Sequence, residues 1–359
     1  MRQTHFERGE EEVRIDGLPE VTTCTKRADD VRGCKKYYYT CQSMATHPVS
    51  ISAGKFTTAV VLGGYKRALR GWGPCWVPID LTGVVEVSVS DEYAVALLRD
   101  GSVMSWADTN TTHFEKIHYV SEGLKILEVP GGLDNVVQVA AGQDGRVVAL
   151  RENGTVTAWQ ADFVGPPGPD PELPEGLVTV AKVAAGWKHR LALLEDGSVV
   201  AWGRNLEGQC NVPAGLMGVV GMSAGVFHSL ALLEDGSVVA WGDDEEGQCD
   251  VPEGLTGVVA VAAGMEHSLA LLEDGSVVAW GSDGEGQCDV PAGLTDVVAV
   301  AAGWYHSVAL QSDGTVVSWG HSEATDLPED LHLPQLRCCP FLPVRRRPTL
   351  AELARARVR

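Results

Sequence analysis

The chain has 359 residues, a net charge of −20, 45% hydrophobic residues, 41 glycines and ten tryptophans. No apolar run reaches the ~18 residues of a membrane-spanning helix, and so acidic a body repels phosphate backbones, which argues against direct nucleic-acid binding by it. The opening MRQTHFERGEEEVRID lacks the apolar core of a secretory leader, so an intracellular site, cytoplasmic or nuclear, is expected.

Residues 1–48 form an N-terminal flank with eight basic and eight acidic residues, where Cys24, Cys34 and Cys41 surround Tyr37, Tyr38 and Tyr39. From 49 to 336 the chain repeats itself. Trp202, Trp241, Trp280 and Trp319 recur every 39 residues, and looser copies place Trp72, Trp106 and Trp159 ahead of them. Each Trp follows a landmark by 16 to 18 residues: Gly54, Ser90, Gly142, Gly186, Gly225, Gly264 and Gly303. That makes seven units.

Within a unit, VVAVAAG is a short apolar strand, and HSLALLEDGSVVAWG is two strands joined by a turn in which Gly supplies the positive φ. GQCDVP is expected as a fourth, outer strand, where Pro252 is tolerated. Four short strands in about 40 residues make a propeller blade. A sheet apolar on both faces needs a sheet on either side, and seven arranged radially meet that need. The fold expected is all-β, a seven-bladed β-propeller of about 39-residue, four-stranded repeats.

Departures fall in the early units. Unit 1 runs GWGPCWVP, unit 2 has Ser90-Asp91-Glu92-Tyr93 for Gly-x-x-His, and unit 3 has Gly145 in the His slot. An insertion at 107–130 contains TNTTHFEKIHYVSEGLKI. The last unit trails into HSEATDLPEDLHLPQL, so ring closure is expected to draw on the N-terminal flank. A basic tail, 337–359, carries seven Arg against one Glu, whereas 205–336 carries 21 acidic residues and no Lys or Arg.

Gly-x-x-His-Ser-Leu-Ala-Leu, Asp-Gly-Ser-Val-Val-Ala-Trp-Gly and Gly-Gln-x-x-Val-Pro resemble the regulator of chromosome condensation repeat family, which includes the β-lactamase inhibitor protein II type of propeller. The resemblance spans roughly 49–333, tightly in the last four units. It implies the propeller and a protein partner gripped by one face of the ring. It does not single out one activity.

His189, His228, His267 and His306 recur once per unit and are read as structural, each hydrogen-bonded within its own blade rather than gathered on a metal. The recurring Trp202, Trp241, Trp280 and Trp319 are read as packing between blades. Cys75, Cys210, Cys249 and Cys288 share one repeat position without zinc spacing and are read as inert thiols. Asn110-Thr111-Thr112 and Asn153-Gly154-Thr155 match glycosylation acceptors only by chance in an intracellular chain. No nucleophile motif, phosphate loop or asymmetric carboxylate pair is present, so catalytic residues, cofactors and metals are all expected to be none.

The two letters after each landmark vary: Lys55-Phe56, Asp91-Glu92, Gln143-Asp144, Trp187-Lys188, Val226-Phe227, Met265-Glu266 and Trp304-Tyr305. Preceding equivalent strands, they should emerge on one face of the ring. Trp187, Lys188, Phe227, Met265, Glu266, Trp304 and Tyr305 are the candidate partner-binding residues, because aromatic and Met anchors concentrate at interfaces; the bland alternative is that they plug loop bases. The loops at 204–207, 243–246 and 282–285 resemble calcium loops but lack the ligand spacing. The expected function is a monomeric protein-interaction scaffold with a protein partner, a basic one or a small GTPase. Guanine-nucleotide exchange, with 107–130 as a wedge, and inhibition of a partner enzyme are the alternatives.

Overall fold

The computed structural model describes residues 11–14, 23–31, 34–42, 50–55, 57–61, 69–72, 81, 83–90, 93–108, 124–142, 145–160, 168–169 and 172–321. Every regular element among them is a strand. β1 (Glu11–Arg14), β2 (Thr23–Val31) and β3 (Cys34–Gln42) pair with one another in a sheet of their own. Blade 1 is β4 (Ser50–Ala53), β5 (Thr58–Val61) and β6 (Leu69–Trp72). Blade 2 is β7 (Val84–Val89), β8 (Tyr93–Leu98), β9 (Val103–Asp108) and β10 (Leu124–Leu127). Blade 3 is β11 (Val136–Ala141), β12 (Arg146–Arg151), β13 (Val156–Gln160) and β14 (Gly168–Pro169).

The remaining blades have three strands each. Blade 4 is β15 (Val180–Ala185), β16 (His189–Leu194) and β17 (Val199–Gly203); blade 5 is β18 (Val219–Ala224), β19 (His228–Leu233) and β20 (Val238–Gly242). Blade 6 is β21 (Val258–Ala263), β22 (His267–Leu272) and β23 (Val277–Gly281); blade 7 is β24 (Val297–Ala302), β25 (His306–Gln311) and β26 (Val316–Gly320). Within every blade the ladders are antiparallel. The second strand of each unit, sandwiched between neighbouring blades, is buried on both faces, which is why it reads as a continuous apolar run.

GQCDVP is not a strand in blades 4 to 6. Its amides are committed to local turns: Cys249 N donates to Asp244 Oδ1 at 2.8 Å and Val251 N to the Cys249 carbonyl at 2.9 Å, and Pro252 has no N–H to offer a ladder. The hairpin turns follow the sequence reading. In Glu234-Asp235-Gly236-Ser237 the Asp235 carboxylate accepts from Ser237 N and Oγ at 2.9 and 2.6 Å, and Gly236 takes φ 80°. Asn153 of the acceptor-like triplet is the same turn residue, accepting from Thr155 N at 3.0 Å. Asn110 lies outside the described residues.

First strands line the axis, and β24 returns to β4, so the described first and last blades meet directly and the ring is closed. Adjacent first strands share no ladder, and their free amides need acceptors. Side chains supply them: Ser52 Oγ accepts from Val89 N, Ser88 Oγ from Ala141 N, Gln138 Oε1 from Val183 N and Ser223 Oγ from Ala263 N, all at 2.9–3.0 Å. The landmark glycines close the approach. A Cβ on Gly264 would lie 2.7 Å from the Gly303 carbonyl oxygen and would strike the His267 ring; one on Gly54 would lie 2.7 Å from the Ser90 carbonyl oxygen.

The recurring histidines differ from expectation in an instructive way. Each is fully buried, but its bond crosses to the next blade rather than staying in its own. His189 Nε2 lies 3.0 Å from Ser229 Oγ, His228 Nε2 2.9 Å from Ser268 Oγ, and His267 Nε2 3.0 Å from Ser307 Oγ. His306 Nε2 lies 3.0 Å from Thr58 Oγ1, which closes the ring. The serines donate onward, to the Gln209, Gln248 and Gln287 carbonyls at 2.8–2.9 Å. A hydroxyl has one proton, so the imidazole Nε2 must carry the other and donate it. Trp241, Trp280 and Trp319 donate Nε1–H to the same three carbonyls at 2.9–3.0 Å. Those indoles are tied to the loop between blades; Trp202 is buried alike.

Units lacking these letters use other joints. Tyr93, in the His slot of blade 2, donates Oη–H to the Gly142 and Arg146 carbonyls of blade 3 at 2.7 and 2.8 Å. Blade 3 has Gly145 and no imidazole to offer, and blade 4 has Arg190 where its successors have Ser. Arg190, fully buried, reaches back to Glu172 at 3.4 Å, and Arg146 meets the same carboxylate at 2.9 Å.

Burial holds the four imidazoles neutral, pushing His189 and His267 down to about 3 and His228 and His306 to about 4. The unfolded chain takes up these protons near pH 6.5 (about 6.5). The folded-state values are depressed, so this stability is complete above about pH 6.5 and is lost as pH falls toward the folded values. Glu86, pushed up to about 7 by burial, works in the opposite sense. As pH falls from 6.5 to 5 the unfolding free energy should fall with a net slope that grows from about one proton to about three, about 4 kcal/mol per pH unit at the lower end. His267→Gln should reduce that slope by about one proton, measured by urea unfolding across the range. Gly264→Ala should cost about 3 kcal/mol by overpacking. Gly284→Ala, whose Cβ meets nothing within 4 Å, should stay within about 0.5 kcal/mol in the same assay.

Candidate protein-binding face

First strands run toward one end of the ring, so the residues after each landmark glycine emerge together around the mouth of the axial channel. The channel encloses about 240 Å³ and is lined by small residues, including Ser52, Ser88 and Ser223, with Trp187 and Trp304 at its mouth. Backbone bonds fix these corners: Trp187 N donates to the Gly225 carbonyl at 3.1 Å and Val226 N to the Gly264 carbonyl at 3.0 Å. The variable pairs therefore stand on the least adjustable part of the scaffold.

Their side chains converge. Trp187 packs edge-on against Phe227 at 5.3 Å between centroids and against Trp304 at 6.5 Å, although blades 5 and 6 separate the two tryptophans in sequence. Trp304 packs on Tyr305 at 6.2 Å, and Tyr305 lies 6.3 Å from the His321 ring. Edge-to-face geometry at these separations is attractive beyond simple burial. All four aromatics are only half-buried. The result is a continuous aromatic surface over the channel mouth.

Charge flanks it on both sides. Lys188 Nζ sits 4.7 Å and the Arg204 guanidinium 5.2 Å from the Trp187 ring, and Lys55 Nζ 4.5 Å from that of Trp304, all in cation–π range. Arg204 also meets Glu207 at 3.4 Å. On the other side, Asp243 N donates to the Phe227 carbonyl at 3.1 Å and Ser282 N to the Glu266 carbonyl at 2.8 Å. The loops at 243–246 and 282–285 thus belong to this same face, which the sequence left open. Burial, then the neighbouring Glu246, Asp243 and Glu245, raise the Glu266 carboxyl above its ordinary range.

The side chains of these acidic loops are engaged in turns. Asp244 and Asp283 accept from Cys249 N and Cys288 N at 2.8 Å, and Asp243 accepts from Gln248 Nε2 at 2.8 Å. Among the described residues, no group of three or more His, Cys, Asp or Glu could hold a metal ion. Burial pushes the Cys210 thiol up to about 11 and those of Cys249 and Cys288 up to about 12, which disfavours thiolate chemistry.

Of the candidate residues, Trp187, Phe227, Trp304 and Tyr305 form the cluster, Lys188 stacks on it, and Glu266 lies at its acidic edge. Met265 is half-buried beside Glu266 and outside the ring-on-ring stack. Phe56, Asp91, Glu92, Gln143, Asp144 and residues 109–123 of the 107–130 insertion lie outside the described residues. Arg204 and His321 are members of the face that the sequence did not point to. Lys55 is among the varying letters expected on this face, but not among the candidate partner-binding residues. Arg204 and His321 follow Trp-Gly directly, and nothing in the repeat marks that slot as pointing toward the mouth.

The model for the Regulator of chromosome condensation (RCC1) repeat matches residues 180–209, 219–248, 258–287 and 297–324. No curated protein matches the chain. Among solved structures, Prp20p of Saccharomyces cerevisiae is similar at 24% identity over 68% of this chain and 73% of that one, with a TM-score of 0.55. The CRINKLY WD40 ectodomain of the Arabidopsis thaliana receptor kinase ACR4 is similar at 20% identity over 77% and 99% of the two chains, TM-score 0.54. Human WBSCR16 gives 18% identity over 76% and 89%, TM-score 0.54. These likenesses share the fold, whereas the matched repeats carry the family's own letters. Residues 180–324 thus carry four repeats of the regulator of chromosome condensation type, within a fold like that of the similar propellers.

Proposed function

We propose that the protein is an interaction scaffold that binds a partner protein through the channel-mouth face. The supporting observation is that residues at the few freely varying positions of an otherwise fixed repeat make one aromatic surface. Trp187, Phe227, Trp304 and Tyr305 come from three blades, and no blade requires any of them for its ladder. Half-buried aromatics in a rigid setting, rimmed by charge, are the composition of interface anchors. The described similarity to Prp20p, a protein studied for its binding to Gsp1p and histones, is in keeping with a protein partner.

Replacing all four aromatics by Ala should leave the fold intact and weaken partner binding more than about 100-fold, since each anchor is worth about 2 kcal/mol. The assay is affinity capture from native extract followed by titration with the purified partner. Met217→Ser, an exposed residue preceding the opposite end of the first strands, is the control and should bind normally. Equal binding by the quadruple variant would show the rings to be plugs. A captured small GTPase held best without nucleotide would favour exchange activity over simple scaffolding.

A further inference from the structure

The acidic sector of the face carries no Lys or Arg of its own. Between 205 and 336 there is no Lys or Arg against 21 acidic residues. The described ion pair within blades 5 to 7 is His321 with Glu285, at 4.0 Å. Asp244, Glu245 and Glu246 are exposed, and Glu266 sits among Asp243, Glu245 and Glu246 next to the Phe227 corner.

The described part of the propeller ends on this face. His321 N donates to the Tyr305 carbonyl at 2.9 Å, and its ring lies 6.3 Å from that of Tyr305. From there, fifteen residues lead to the segment 337–359, which carries seven of the chain's 28 basic residues and a single Glu. Fifteen residues can span up to about 50 Å, enough to reach any point on the face. A tethered segment is present at an effective concentration of the order of millimolar, so even weak complementarity suffices to seat it. Its guanidinium groups suit both surfaces there, carboxylates as ion pairs and the exposed aromatic rings as cation–π partners.

We infer that residues 337–359 dock on the acidic sector of this protein's own channel-mouth face, with the Arg345-Arg346-Arg347 cluster against the 243–246 loop and Glu266. The tail then covers the edge of the aromatic surface, and an incoming partner has to displace it. This regulation bears on the proposed binding face, but docking itself needs no partner, so either can fail alone.

Limited trypsin digestion of the full-length protein, followed by intact mass, tests it directly, because 205–336 contains no tryptic site. At ~20 mM salt the tail should be cleaved about tenfold more slowly than in the Glu245→Gln, Glu246→Gln, Glu266→Gln variant; at ~1 M salt, where the Debye length is about 3 Å, the two should converge. Chymotrypsin cleavage after Phe341 should likewise accelerate in an Arg345→Gln, Arg346→Gln, Arg347→Gln variant, which leaves the body untouched. Equal low-salt rates in wild type and both variants overturn the inference. Protection that disappears on dilution also overturns it, by placing the tail on a second copy.

Discussion

The closed ring depends on the contact between one blade's landmark glycine and the next blade's carbonyl. At that approach the backbones of adjacent blades touch with no room for a Cβ. Once they are so close, the imidazole three residues on is sealed from water and must have a neutral partner. The Ser of the following blade supplies one, and the Gln backbone carbonyl accepts the serine's hydrogen bond. The indole on the strand after that serine's uses the same carbonyl. Gly, His, Ser, Gln and Trp recur because they form one joint made five ways, and an isolated change leaves a buried polar group without its match.

This joint explains what was legible in the sequence. Seven units, their landmarks and the strand-turn-strand core could be read because each is enforced by local backbone requirements or by burial on both faces. The destination of the histidine bond could not. A single unit contains both His and Ser side by side, and only the radial stacking reveals that each Ser serves the previous blade's His. The same blindness concealed the logic of the irregular units. Gly145 and Arg190 look like independent departures along the chain, yet they occupy the His and Ser slots of the same seam. GQCDVP misled for a different reason: the expected outer strand is pre-empted because Asn205, Asp244 and Asp283 capture the following Cys amides and the Val amides turn back on the Cys carbonyls.

The face was half legible. Variation after an invariant glycine marks positions free of the joint, and equivalent strands must deliver them to a common end. Whether they would touch was a question of reach: Trp187 meets Trp304 only because the channel between them is narrow and both indoles lean across it. The charge partition was visible as a run without Lys or Arg, but its placement beside the aromatics rests on two backbone bonds, from Asp243 and Ser282, that no composition reveals.

The paired exception at the seam between blades 3 and 4 also constrains how such a ring can be rearranged. Blades 5 and 6 present the same letters to both neighbours, so either could be copied, lost or exchanged without disturbing a seam. Blade 4 could not. Placed after a blade bearing the usual imidazole, its Arg190 would meet that ring with Glu172 left behind. The order of the blades is therefore specified in part of the circle and interchangeable in the rest. Growth by duplication is open to the carboxyl-terminal blades, while the amino-terminal ones are held in a fixed sequence by the seams they share.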